Sequence, residues 1–245
     1  MNSSRQEIKL ISFDAADTLI KLVRSVGDHY SSIASKHGVQ ASVEDINKSF
    51  KKVFAETPPL SESGDKDLQW WKEVIEKTFA ALGFQNKSFS NFDNFVKELY
   101  DALSEDRAWA TFNDVENTLQ ELKKLGLRMI VFSNFDERLL KVLADLSIDH
   151  YFEKVICSSQ IGYGKPDVKA FRKVAELVNL KPEEILHVGD GFENDYLGSY
   201  RAGFQSLYLN RSGLQLYSPI HEEDEIKDLQ ELIPVLCKIV NKINA

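Results

Sequence analysis

Cysteine is scarce. The 245-residue chain has two, Cys157 and Cys237, far apart in sequence, so no disulfide framework is encoded and a reducing compartment suits it. Long apolar runs are missing as well. No stretch approaches the roughly 20 residues that a membrane-spanning helix requires, and Met1-Asn2-Ser3-Ser4-Arg5-Gln6-Glu7 has no apolar signal core. Asn2 stands where myristoylation requires Gly. Positive charge is in deficit: 30 Lys and Arg against 38 Asp and Glu give a net charge of -8, and no basic run is long enough to follow a phosphate backbone. Neither nucleic acid nor a membrane is therefore an expected partner, and a cytoplasmic location is expected. No internal repeat or low-complexity segment is visible.

What remains is an ordinary globular composition, 43% apolar and 28% charged, in a chain large enough for one big core or two unequal domains. Short apolar runs at 9–13, 128–132, 154–157 and 185–188, with a weaker one at 206–209, have the look of buried parallel strands. Between them lie helix-period stretches at 115–125, 137–146, 169–178 and 194–201, with Gly126 and Gly203 placed as C-terminal stops. This alternation predicts an α/β, Rossmann-like core: a parallel sheet of at least five strands, helices on both faces, and ligands beyond the carboxyl ends of the strands.

Residues 22–108 break the rhythm. They carry four helix-like stretches, near 25–38, 42–56, 66–82 and 91–104, and read as a helical bundle inserted after the first strand. The expected domains are thus 1–21 with 109–245, and 22–108. Trp70, Trp71, Phe79, Phe84, Phe92, Phe95 and Tyr100 are expected in the core of the insert. Pro58-Pro59 and Ser61 to Asp65 read as a solvated loop. The last stretch, with Ile226, Leu229, Leu232, Ile233, Leu236, Val240 and Ile243, has helical spacing and is expected to pack on the sheet.

Four polar clusters fall at or just after the apolar runs, where such a sheet would gather them. Asp14 ends the first run; a carboxylate there is either a satisfied structural cap or a working group, since burial without compensation is costly. Ser133-Asn134-Phe135-Asp136 follows the second run and serves either a phosphoryl group at a helix start or as an ordinary helix cap. Gly162-Tyr163-Gly164-Lys165-Pro166-Asp167 sets a Lys between a glycine-rich turn and a Pro able to open a helix. Asp190 and Asp195, in Gly189-Asp190-Gly191-Phe192-Glu193-Asn194-Asp195, can supply the carboxylates that a hard dication such as Mg2+ takes, or form a solvated acidic turn.

In this order and over nearly the whole chain, these clusters resemble the four motifs of the haloacid dehalogenase superfamily, and the insert resembles its helical cap. The resemblance implies that Asp14 attacks phosphorus, that Ser133, with Asn134 beside it, and Lys165 hold the phosphoryl group, and that Lys165 also neutralises the nucleophile. It further implies Mg2+ held by Asp14, the backbone carbonyl of Ala16, Asp190 and Asp195, and a small phosphorylated metabolite as substrate. One position departs. The superfamily's Asp-x-Asp-x-Thr becomes Asp14-Ala15-Ala16-Asp17-Thr18, so the acid that protonates the leaving group is missing and the adjacent Asp17 is the candidate replacement. Two other readings follow from the gap: a silent member that binds a phosphorylated ligand or a protein, and a phosphonatase-like hydrolase using an imine-forming lysine such as Lys51 or Lys52. Asp190 argues against carbon-halogen cleavage.

Overall fold

The computed structural model describes residues 7–58, 60, 67–213 and 220–243. The expected loop at Pro59 and Ser61 to Asp65 lies outside the described residues. Two compact units divide the chain, Met1–Lys21 with Thr111–Ala245, and Leu22–Ala110.

The first unit is built on a six-stranded sheet in the order β5-β4-β1-β6-β7-β8, every pair parallel. Its strands are β1 (Leu10–Phe13), β4 (Arg128–Ser133), β5 (Lys154–Cys157), β6 (Ile185–Gly189), β7 (Gln205–Leu209) and β8 (Glu225–Ile226). All four residues of β1 are buried, as a strand with neighbours on both edges and layers on both faces must be. Leu10 pairs with Arg128 on one side and Ile185 on the other, and Phe13 with Val131 and Val188. Chain order reverses across β1, which makes its carboxyl end a switch point. Helices α5 (Val115–Lys124), α6 (Arg138–Asp145), α7 (Ser158–Ile161), α8 (Val168–Val178) and α9 (Gly198–Arg201) lie between these strands in sequence. The apolar stripe of α8, Ala170, Phe171, Val174, Ala175 and Val178, packs with Leu10, Ile130, Phe132 and Ile185 in one dry layer.

The second unit holds α1 (Val26–Lys36), α2 (Val43–Glu56), α3 (Asp67–Ala80) and α4 (Phe92–Ala102). Ser25, Ser42 and Asn91 cap three of them by accepting a backbone N-H three residues on, which satisfies donors left over at a helix start. The core of this unit is aromatic: Tyr30 stacks on Phe79 at 6.2 Å between ring centres, and Phe89 on Phe95 at 4.5 Å. Trp70 is buried and donates its indole N-H to the Pro58 carbonyl at 2.9 Å.

Two features differ from the sequence expectation. Short strands β2 (Ile20–Leu22) and β3 (Trp109–Thr111) pair with each other; three residues are too few to show a period. The C-terminal stretch is helical only as α10 (Leu232–Ile243). Ile226 instead pairs with Leu209 in the sheet, because β7 offers an open edge that a helical turn would leave unpaired, and Leu229 sits in a 3-10 turn that Asp228 caps. Among the described residues, no helix is long and apolar enough to cross a membrane.

Candidate active site

Asp14 is the first residue beyond β1, and its backbone N-H donates to the Val188 carbonyl at 2.9 Å. Its carboxylate is 7% exposed. The turn that follows is tied to itself: Leu19 and Ile20 both donate to the Ala15 carbonyl, and Asp17 donates to Ile20. Asp17 takes a left-handed φ of 58°, a conformation that Asp tolerates better than most residues.

Lys165 reaches this point from the loop before α8. Its buried ammonium lies 2.6 Å from Asp14 Oδ1 and 2.5 Å from Asp195 Oδ1. Burial alone would lower its pKa, but the two carboxylates more than compensate and its pKa is raised. Its backbone is clamped by Asn134, whose Nδ2 donates to the Lys165 carbonyl while its Oδ1 accepts the Lys165 N-H, both at 2.8 Å. One of the two Asn134 Nδ2 hydrogens is thus used to hold Lys165. Neither Ser133 nor Asn134 caps α6 through its side chain: the cap position is Glu137, which makes no side-chain cap bond, and Asp136 before it accepts the Arg138 N-H at 3.1 Å and pairs with the Arg138 guanidinium. Ser133 remains buried as the last residue of β4. Pro166 does not open α8; Asp167 caps it by accepting from Lys169.

Asp190 directly follows β6 and Asp195 lies within a π-helix, Phe192–Leu197, a wide turn frequent at functional sites. Here Asp195 and Tyr196 both donate to the Gly191 carbonyl. Asp195 is folded back so tightly that a Cβ on Gly189 would lie 2.4 Å from its Cγ, so only glycine fits there. Thr18 holds Asp190 from the other side, accepting its N-H at 3.1 Å and donating to Oδ1 at 3.3 Å.

The electrostatics of the three acids diverge. Desolvation pushes Asp14 up to about 6 against the pull of Lys165. Asp190 is pushed up to about 8 by desolvation and by repulsion from Asp14, Asp195 and Asp17. Asp195 resists the same burial because Lys165 and His187 hold it below the carboxylate range. Asp17 is exposed but crowded enough that desolvation raises its pKa against Arg211. One oxygen from each of Asp14, Asp190 and Asp195 lies within 4.8 Å of the others. Three carboxylates around one ammonium leave unbalanced negative charge in a poorly hydrated place, and an oxygen-only donor set fits a hard dication. Ala16 stands half-buried in the same turn and carries no acid.

Two supports were not visible in the sequence patterns. Arg211 donates to the Thr18 carbonyl at 2.9 Å, pairs doubly with Asp114 at 2.8 and 3.1 Å, and lies 4.0 Å from the Phe112 ring centre. Nothing local to residue 211 signals this. Arg211→Ala would leave the buried Asp114 charge without its cation and is expected to cost about 3 kcal/mol in urea unfolding. His187 is the other, inside β6 beneath Asp195; a polar ring in the apolar run Ile185-Leu186-His187-Val188 was the available signal.

A family model described as haloacid dehalogenase-like hydrolase matches residues 8–203. The chain belongs to that family. Among haloacid dehalogenase-like hydrolases, it is 30% identical to the Xenopus laevis haloacid dehalogenase-like hydrolase domain-containing protein 3, over 95% of this chain and 97% of that one. It is 33% identical to the glyceraldehyde 3-phosphate phosphatase of Methanopyrus kandleri, over 52% of this chain and 57% of the relative. A structure of Bacillus subtilis YfnB bound to magnesium shares the fold, with a TM-score of 0.69 at 15% identity over 94% of this chain and 99% of that one.

Proposed function

We propose that the chain is a Mg2+-dependent phosphatase of a small phosphorylated metabolite, slow for its family, with Asp14 as nucleophile and the helical unit acting as the cap that selects substrate. The observation that carries this reading is the buried set in which Lys165 bridges Asp14 and Asp195 at 2.6 and 2.5 Å with Asp190 beside them. Asp14 Oδ attacks phosphorus, the phosphoryl group passes to Asp14, and the ester oxygen leaves with a proton that water or Asp17 supplies; water then attacks the phosphorus of the aspartyl-phosphate, releasing phosphate and freeing the Asp14 carboxylate. Lys165 offsets the charge of the nucleophile and of the equatorial oxygens, which would otherwise repel each other. Ser133 and backbone N-H groups after β4 receive the phosphoryl oxygens, while Asn134 keeps Lys165 in register. Asp14, Asp190, Asp195 and the Ala16 carbonyl would hold Mg2+, which supplies charge neutralisation between carboxylate and phosphoryl group. A magnesium-bound neighbour of the same fold and a phosphatase among the relatives support both parts.

The test is trapping with Mg2+ and beryllium fluoride, followed by a panel of phosphate esters. An adduct on Asp14 with phosphate release from at least one ester is expected; an adduct without release from any ester would favour the second reading, a phospho-ligand binder disabled at Ala16. The phosphonatase-like reading loses ground because Lys51 and Lys52 are exposed, and an imine-forming amine needs burial to shed its proton near neutrality.

The raised acids also set a stability profile for the metal-free protein. Asp14 and Asp190 titrate near 4 when unfolded but at about 6 and about 8 when folded, so between those values the folded state binds more protons. Rising pH then works against folding. Asp195, whose pKa is lowered, adds stability that is lost only in strong acid. The urea midpoint without metal is therefore expected to fall from about pH 5 to about pH 8, with Mg2+ restoring most at the upper end. A profile that rises over this window would contradict the acidic pocket.

A further inference from the structure

His187 is fully buried in the middle of a central strand, on the same face as the apolar layer beneath the site. Its ring meets Phe171 edge-on at 5.3 Å and tilts against Phe132 at 6.2 Å. An aliphatic or aromatic side chain would satisfy that layer, and a polar ring there is costly unless both nitrogens are bonded. Both are. Nδ1 lies 3.0 Å from Ser12 Oγ and Nε2 lies 3.1 Å from Asp195 Oδ1.

The chemistry of the partners fixes the direction of each bond. A charged carboxylate only accepts, so Nε2 carries the hydrogen; in a neutral ring Nδ1 then accepts, and the Ser12 hydroxyl donates to it. Burial lowers the pKa of the ring, which favours its neutral form, against the opposing pull of Asp195. Asp195 is thereby pinned at three points: Oδ1 by His187 Nε2 and Lys165 Nζ, and Oδ2 by the Gly191 N-H at 2.8 Å. Without His187, Oδ1 would be anchored only through Lys165, which Asp14 also claims.

We propose that His187, locked by Ser12 in its Nε2-H tautomer, is a positioning residue that orients the Asp195 carboxylate and through it Lys165 and the metal pocket. The assignment rests on the functional reading above only for its metal readout. Partners that orient a ligating side chain from behind are commonly worth ten- to a hundredfold in metal affinity or activity.

The test uses the full chain with Mg2+ titrated calorimetrically, alongside nitrogen NMR of the 15N-labelled, metal-free protein. His187→Phe fills the aromatic niche without a donor, and His187→Leu is the smaller companion should Phe not fit. Either folded variant is expected to bind Mg2+ about ten- to a hundredfold more weakly. His187→Gln, whose Nε2 can still donate to Asp195, is expected to stay within about threefold of the parent. In the parent, the spectrum should show a hydrogen on Nε2 of His187 and none on Nδ1. Parent-like affinity in the Phe or Leu variant would overturn the proposal, and so would a Gln variant as weak as they are, since that would leave only ring packing. An Nδ1-H ring would overturn it without reference to metal. A parent chain that binds no Mg2+ would instead sink the functional reading, leaving the tautomer to decide His187.

Discussion

Asp14→Asn is expected to abolish phosphate release from every ester that the parent hydrolyses, a loss of at least about 10⁴-fold, since an amide cannot take up the phosphoryl group. The fold should survive. Asp14 is one of three acids gathered around Lys165, and desolvation pushes it up to about 6; neutralising it removes repulsion on Asp190 rather than orphaning a cation, because Asp195 still faces Lys165. Urea unfolding and single-turnover assays on the same preparation separate the two effects. Residual release above a hundredth of the parent rate, from a chain free of the unmutated protein, would place the nucleophile elsewhere.

The second large effect runs in the opposite direction. Ala16→Asp places a carboxyl two residues beyond Asp14, and general acid-base help is commonly worth about 10² to 10⁴-fold. An increase in kcat of that order on an aryl phosphate and an alkyl phosphate is expected. The gain should be larger on the alkyl ester, whose poorer leaving group depends more on protonation. The side chain has room to act because position 16 is only half-buried, in a turn whose backbone is already held by Ala15, Ile20 and Arg211. If Asp17 already supplies the proton, the gain shrinks and Asp17→Asn slows the parent. Kinetics of the two single variants and the double variant distinguish these cases, since two groups doing the same task are not additive.

The sequence disclosed the sheet and the four clusters well because both rest on local signals. A strand with neighbours on each side must be apolar throughout, as Leu10-Ile11-Ser12-Phe13 nearly is, and polar groups then stand out at its end. Ser12 and His187 were polar exceptions inside two such strands, and they turn out to bond each other across the β1-β6 pair. That bond could not be read without knowing that β6 lies beside β1. Asn134 shows a similar limit: its place after a strand gave no sign that its amide would also meet the peptide group of Lys165 in a neighbouring loop. Arg211 was invisible because a surface-type residue after the last long strand gives no hint that it will clasp Thr18 and Asp114. The helical unit was legible as four helix-like stretches, whereas β8 depended on the open edge of β7.

The placement of β1 between β4 and β6 has a bearing on synthesis. This strand, made before either partner, finds its two neighbours only when residues 128–133 and 185–189 have been added. Until then an apolar strand and its terminal carboxylate have no edge to join, so a chain still emerging from the ribosome carries Asp14 without Lys165 or Asp195. Contacts this distant in sequence slow folding and leave strand edges exposed to misassembly. The helices of 22–110, whose partners are local, are free to form first, so Asp14 is synthesised well before the residues that seat it.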